Sequence, residues 1–344
     1  MHMNQITINN ERDKYWDSVK AVLMFLVILG HTIQYFVYQG DNHINFWKDP
    51  IFKGIYIFHM PLFMFISGYF AASSYKIRTL SVIPRYFKRL ALPCIGIGLY
   101  GLINRIYHNQ PISPTRIWAN CTALWFLISI FECLIWYIIF EKYGKIVWAK
   151  AILFILPIIL ALNINHFGKL ALIWPHTQYF TYMWPFFIMG AYTQKYNFVE
   201  YITNHKRLGG IFIILYIISF LIFNEEWYVY RTPLNLSIER WEIHLIRTLT
   251  ATTGCGAFLF IIKQIPLIDK SDFIQKIGKS TLAIYILQSI IFSLLRPYIP
   301  ANIGYAEAII ISLMILVGLF YFYKITRKIP IFMLLAYGES HKSK

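Results

Sequence analysis

The stretch WDSVKAVLMFLVILGHTIQYFVY, Trp16 to Tyr38, decides how this chain folds. A helix needs about twenty mostly apolar residues to cross a bilayer, and this run supplies them. It also carries Lys20 near its start and His31 well inside. A polar ring in hydrocarbon costs free energy unless something satisfies it, and an intramembrane ionisable residue marks a functional site by default. His31 is therefore where the chemistry is expected.

The composition agrees. Of 344 residues, 58% are hydrophobic, 18% aromatic and only 14% charged, whereas soluble chains have about 25% charged residues. The formal net charge of +16 would in a soluble protein suggest an acidic partner such as nucleic acid. In a membrane chain it asks how Lys and Arg divide between the two sides. The four cysteines, at positions 94, 121, 133 and 255, have no CxxC or metal-like spacing, so no disulfide framework and no metal site are read. The first fifteen residues are polar, and the apolar run after them is longer than a signal-peptide core and lacks a small-x-small cleavage site. It is expected to stay as an anchor.

Ten segments fit a span, at roughly 16–38, 52–73, 90–107, 121–140, 146–164, 180–196, 208–224, 247–263, 279–296 and 305–325. Taken alternately, they place 23 of the 32 Lys and Arg on one side and 9 on the other. By the positive-inside rule the richer side is cytoplasmic, with both termini. That asymmetry explains the net charge without a nucleic-acid partner. The expectation is an all-α integral membrane protein of about ten transmembrane helices in one bundle. It forms a single polytopic domain over residues 1–344, with short tails at 1–15 and 326–344, in the plasma (inner) membrane. The longest outer loop, Asn224 to Ile246, mixes Glu225, Glu226, Glu239 and Glu242 with Trp227, Tyr228, Tyr230 and Trp241. It suits either a carbohydrate or an interfacial aromatic belt.

Depth can be counted along each helix at 1.5 Å per residue. His31 lies roughly 16 Å beyond Lys20, past the midplane. His59 on the second segment, Glu132 on the fourth and Gln288 on the ninth come to a similar level. A carboxylate near a histidine would orient the ring; equally, Glu132 and Gln288 can serve as structural hydrogen-bonding groups. A second cluster, Arg85, Lys88 and Arg89, precedes Leu92 and Pro93, with Lys76 and Arg78 upstream. Such a cluster can grip a phosphorylated cofactor or anchor on anionic lipid.

The lead-in Tyr15-Trp16-Asp17-Ser18-Val19-Lys20 and the helix end Leu29-Gly30-His31 resemble the opening of the membrane acyltransferase 3 family, in which a basic residue precedes a histidine by eleven positions. That residue is usually Arg, so Lys20 departs from the pattern and lacks a planar fork of donors. Phe58-His59-Met60-Pro61-Leu62-Phe63 and Phe65-Ile66-Ser67-Gly68-Tyr69 resemble the second span of its fucose 4-O-acetylase and exopolysaccharide-modifying branch. Leu90-Ala91-Leu92-Pro93, Leu124-Trp125-Phe126-Leu127, Phe186-Phe187-Ile188-Met189-Gly190 and Ile277-Gly278-Lys279-Ser280-Thr281-Leu282 are also similar. Gln288 stands where many members have a histidine. The resemblance covers about residues 12 to 325.

The resemblance implies transfer of an acyl group, commonly acetyl, from acetyl-CoA or another acyl-CoA at the cytoplasmic side to a hydroxyl of a cell-surface or exported carbohydrate. Lys20, Arg85, Lys88 and Arg89 would bind the donor. His31 would act as general base or transient acyl carrier, with His59 and Glu132 as further catalytic candidates that orient its ring. The expected partners are acyl-CoA, a glycan acceptor and the lipid bilayer, with homo-oligomerisation left open. The competing class is a transporter or flippase of a glycan, lipid or small solute, because mid-membrane polar groups also mark substrate paths. Against it, the two halves show no matching pair of broken helices.

Overall fold

The computed structural model describes residues 14–38, 45–73, 80–163, 177–230 and 241–339. Lys76, Arg78 and the 231–240 part of the acidic, aromatic loop lie outside the described residues. The opening stretch forms α1 (Lys14–Thr32) and continues into a π-helical turn, Ile33–Val37. There the Tyr38 N–H reaches the Ile33 carbonyl at 3.2 Å, five residues back. Such single π turns are frequent at functional sites.

The second segment is a helix in two pieces, α2 (Pro50–Tyr56) and α3 (His59–Ser73). Asp49 caps α2 by accepting the Phe52 N–H at 2.7 Å, with Pro50 opening the first turn, where its missing donor costs nothing. The break at Ile57–Phe58 follows from Pro61, which has no N–H for the carbonyl of Ile57.

The chain continues through α4 (Ile83–Tyr107), α5 (Pro114–Cys121), α6 (Trp125–Tyr143), α7 (Val147–Asn163), α8 (Thr177–Tyr196), α9 (Phe198–Asn204) and α10 (Lys206–Ile222). It ends with α11 (Trp241–Lys263), α12 (Pro266–Asp269), α13 (Asp272–Lys279), α14 (Thr281–Leu295), α15 (Tyr305–Thr326) and α16 (Pro330–Tyr337). All ten expected segments fall on helices. Among the described residues, five helices are long and apolar enough to cross a membrane, or up to eight if the bent pairs α5–α6, α9–α10 and α13–α14 each count as one span. The bends are 71°, 91° and 71°. The helices α7 and α8 do not meet the same standard of length and hydropathy.

Because lipid is as apolar as a leucine side chain, helices associate in a bilayer through close packing at small residues. Two glycines make the closest crossing. Gly68 of α3 lies on the Phe187 carbonyl of α8, while Gly190 of α8 lies on the Phe65 carbonyl of α3; a Cβ at either would overlap that oxygen. Gly278 on α13 lies in the same way on the carbonyl of Asp17. This crossing pins the start of α1, which also contacts α2, α3, α11, α14 and α15. The helix read first in the sequence is thus the hub of the bundle.

Candidate active site

His31 sits at the last turn of α1, half-buried. Its Nδ1 lies 3.4 Å from the Gln34 amide oxygen and 3.3 Å from the Tyr56 hydroxyl. With Nδ1 donating to the Gln34 amide oxygen, the neutral ring keeps its lone pair on Nε2. The π turn carries Gln34 and Tyr35; the Tyr35 ring lies 6.0 Å from the imidazole and Phe292 of α14 5.7 Å. Tyr56 reaches the site because Gly30 lacks a side chain: a Cβ there would collide with the Tyr56 ring.

Tyr56 also joins the two histidines. Its ring stacks on Phe52 at 3.7 Å and lies 4.6 Å from the His59 ring. His59 is buried, and its Nδ1 donates to the Ile55 carbonyl at 2.9 Å. The helix break caused by Pro61 thus gives that ring its hydrogen bond and its orientation. Tyr230 lies beyond, 5.9 Å from Tyr56 and 6.5 Å from His59. Burial pushes its phenol well above the usual tyrosine range, so the hydroxyl remains a neutral donor.

A cavity of about 540 Å³ lies beside the first half of α1, lined there by Lys20 and Met24. Its cationic residues, Lys20, Arg89 and Lys279, come from α1, α4 and α13; Met24, Phe63, Phe70 and Leu134 line it with apolar surface, and Phe126 and Tyr285 add aromatic rings. Lys20 is held by Asp17 at 2.7 Å and lies 5.4 Å from the Phe70 ring. Eleven residues are about three helical turns, so Lys20 and His31 share one face of α1, about 20° apart. Met24 lies between them on that face. On α14, Phe292, which touches His31, stands two turns beyond Tyr285.

The structure therefore joins His31 and His59 through Tyr56 and places Lys20 and Arg89 at one cavity. Arg85 is exposed, and neither it nor Lys88 lines the cavity. Glu132 is not a partner of His31: it lies about 160° around α6 from the cavity stripe Phe126, Ile130 and Leu134 at 100° per residue. Sequence reasoning missed Tyr56, Gln34, Asp17 and Lys279. The signals were the glycine before His31, the three-residue spacing of Gln34 and the Gly278-Lys279 pair. Gln288 lies on the α14 face between Tyr285 and Phe292, buried, and its amide oxygen has no hydrogen-bond partner. No group of three or more His, Cys, Asp or Glu among the described residues could hold a metal.

An all-helical, multi-pass membrane protein with two histidines joined by a tyrosine, and a cavity lined by three cations, is the class these features define. The sequence matches the acyltransferase domain family (Acyl_transf_3) over residues 13–324, and the chain belongs to that family. It is 38% identical over 120 residues to nodulation protein NolL of Mesorhizobium japonicum, covering 35% of this chain and 26% of that protein. Over 65 residues it is 54% identical to nodulation protein NolL of Sinorhizobium fredii, covering 19% of this chain and 17% of the relative. The matched stretches thus span about a quarter or less of these relatives. No solved structure matches the chain.

Proposed function

We propose that the protein is an O-acyltransferase that moves an acyl group, acetyl in the simplest case, from acyl-CoA at the cytoplasmic side to a hydroxyl of an exported or cell-surface carbohydrate. The observation that carries this reading is the single face of α1, which has Lys20 and Met24 in the cavity and His31 beyond them. Arg89, Lys279 and Lys20 form the mouth for the donor's phosphates, and the apolar wall receives the pantetheine arm. Nε2 of His31 takes the proton of the acceptor hydroxyl as its oxygen attacks the thioester carbonyl. The C–O bond forms, the C–S bond breaks, and the proton passes to the departing thiolate. Tyr56 and Gln34 hold the ring, and His59 acts through Tyr56. The amide oxygen of Gln288 accepts from the acceptor.

Purified protein is expected to consume acetyl-CoA and acetylate glycan, and His31→Ala is expected to abolish both while inserting normally into the membrane. Full acylation by that variant would overturn the reading. Solute uptake without thioester use would assign the site to transport instead.

A further inference from the structure

A second polar cluster lies on the Tyr230 side of Tyr56, and the acyl-transfer chemistry does not use it. Its centre is Arg247 of α11, only 2% exposed. Its Nε donates to the Trp227 carbonyl, and both terminal nitrogens are buried without a hydrogen-bond partner. The ionisable groups beside it are Tyr182 of α8, Tyr230 and, one turn back on its own helix, His244. Among the described residues no carboxylate bears on Arg247 itself, while Glu242, two residues before His244, bears on that ring. The Tyr230 hydroxyl and His244 Nε2 are likewise buried without partners. Several polar atoms from three segments thus share one place and one unmet need.

A guanidinium stays charged in any protein environment, and its terminal nitrogens form a planar fork matched to two oxygens of a carboxylate or phosphate. Buried cations are paired or bind ligands, because an unpaired charge is costly to bury. Next to the fork, the Tyr230 ring lies 5.6 Å from Trp125 and 5.9 Å from Tyr179, and Trp125 lies 4.3 Å from Tyr179. These rings offer flat apolar faces on which the C–H face of a sugar can stack. Tyr230 in turn adjoins both Tyr56 and His59, so a group held here is two aromatic rings from His31.

We propose that Arg247, with Tyr230 and His244, is a binding site for an anionic group of the acceptor, a carboxylate or phosphate that fixes the substrate while its hydroxyl faces His31. This deepens the acyltransferase reading and rests on it for the word acceptor; the anion site itself stands on the buried fork. The oxyanion can come from a uronic acid of the glycan or from the diphosphate of an isoprenoid carrier.

The test is equilibrium binding to the purified full-length protein in detergent at fixed ionic strength, without acyl donor. Two pairs of probes serve, methyl glucuronoside against methyl glucoside and farnesyl diphosphate against farnesol. At least one charged probe is expected to bind tenfold or more tightly than its neutral counterpart, and the pair that shows the preference identifies the source of the anion. Arg247→Lys should lower the preference, and Arg247→Gln should bring it near one. Should Arg247→Gln fail to fold, Arg247→Lys and Tyr230→Phe, checked by helicity and gel filtration, must each lower it. Equal affinity within both pairs in the wild type, or a preference that persists in these variants, overturns the proposal. Because no donor is present, a protein that prefers the charged probe yet never consumes acetyl-CoA would keep this site and lose the acyltransferase reading.

Discussion

Tyr56 is the residue on which the proposed chemistry turns, because its hydroxyl touches His31 and its ring touches His59. A hydrogen bond of this kind contributes about 1 kcal/mol, so Tyr56→Phe is expected to lower kcat several-fold and leave the donor KM unchanged. Gly30→Ala should cost more, since the new methyl displaces the whole ring, and a shift of about 1 Å at a reacting site can cost on the order of 10²-fold. Steady-state kinetics at saturating donor checks both variants; equal kcat values in the two would remove Tyr56 from the mechanism. Lys20 illustrates the opposite lesson. The family pattern has Arg there, and here the ammonium is already held by buried Asp17. On the proposed reading its contribution to a phosphate is a point charge shared with a carboxylate, and Arg89 would supply the fork.

At the scale of elements, the α3–α8 crossing is set by Gly68 and Gly190 facing each other's backbones. Neither backbone can yield without moving its helix, so Gly68→Ala is expected to destabilise by about 1–3 kcal/mol, the usual range for overpacking. Denaturation in mild detergent measures it, and a wild-type midpoint would show that the crossing is loose. Apolar segments were legible because a spanning helix is written in composition, and each of the ten expected segments falls on a helix. Their breaks were less so. Pro61 announces the α2–α3 break, whereas the bends before Trp125, Lys206 and Thr281 depend on how neighbouring helices cover the backbone. His31 and His59 could be singled out as intramembrane ionisable groups, but Tyr56, which joins them, was not legible, because it arrives from another helix through a gap left by Gly30. Glu132 lies on the face of α6 turned away from the cavity stripe, which a depth count alone does not show. Arg247, which a charge tally places on the outer side, is buried within the bundle.

At the scale of the whole molecule, three cations meet at the cavity although they are far apart in sequence: Lys20 on the hub helix, Arg89 on α4 and Lys279 at the α13–α14 bend. What brings them together is the Gly278 crossing on Asp17, which sets Lys279 beside the start of α1, and the seating of Gly338 against the backbone of Lys88 and Arg89. Gly338 has φ +61°, in the left-handed region that glycine adopts freely. The cluster read from the sequence therefore divides by position, with Arg89 lining the cavity and Arg85 outside it. Hydrogen bonds to charged groups contribute about 1.5–3 kcal/mol, so Arg89→Gln and Lys279→Gln are each expected to raise the acetyl-CoA KM by about tenfold to a hundredfold. Arg85→Gln, away from the cavity, should change it little. Titrating the donor at saturating acceptor separates these outcomes. A larger effect from Arg85 than from Arg89 or Lys279 would mean that the donor's phosphates dock on the exposed face of α4, and the cavity would lose its assigned role.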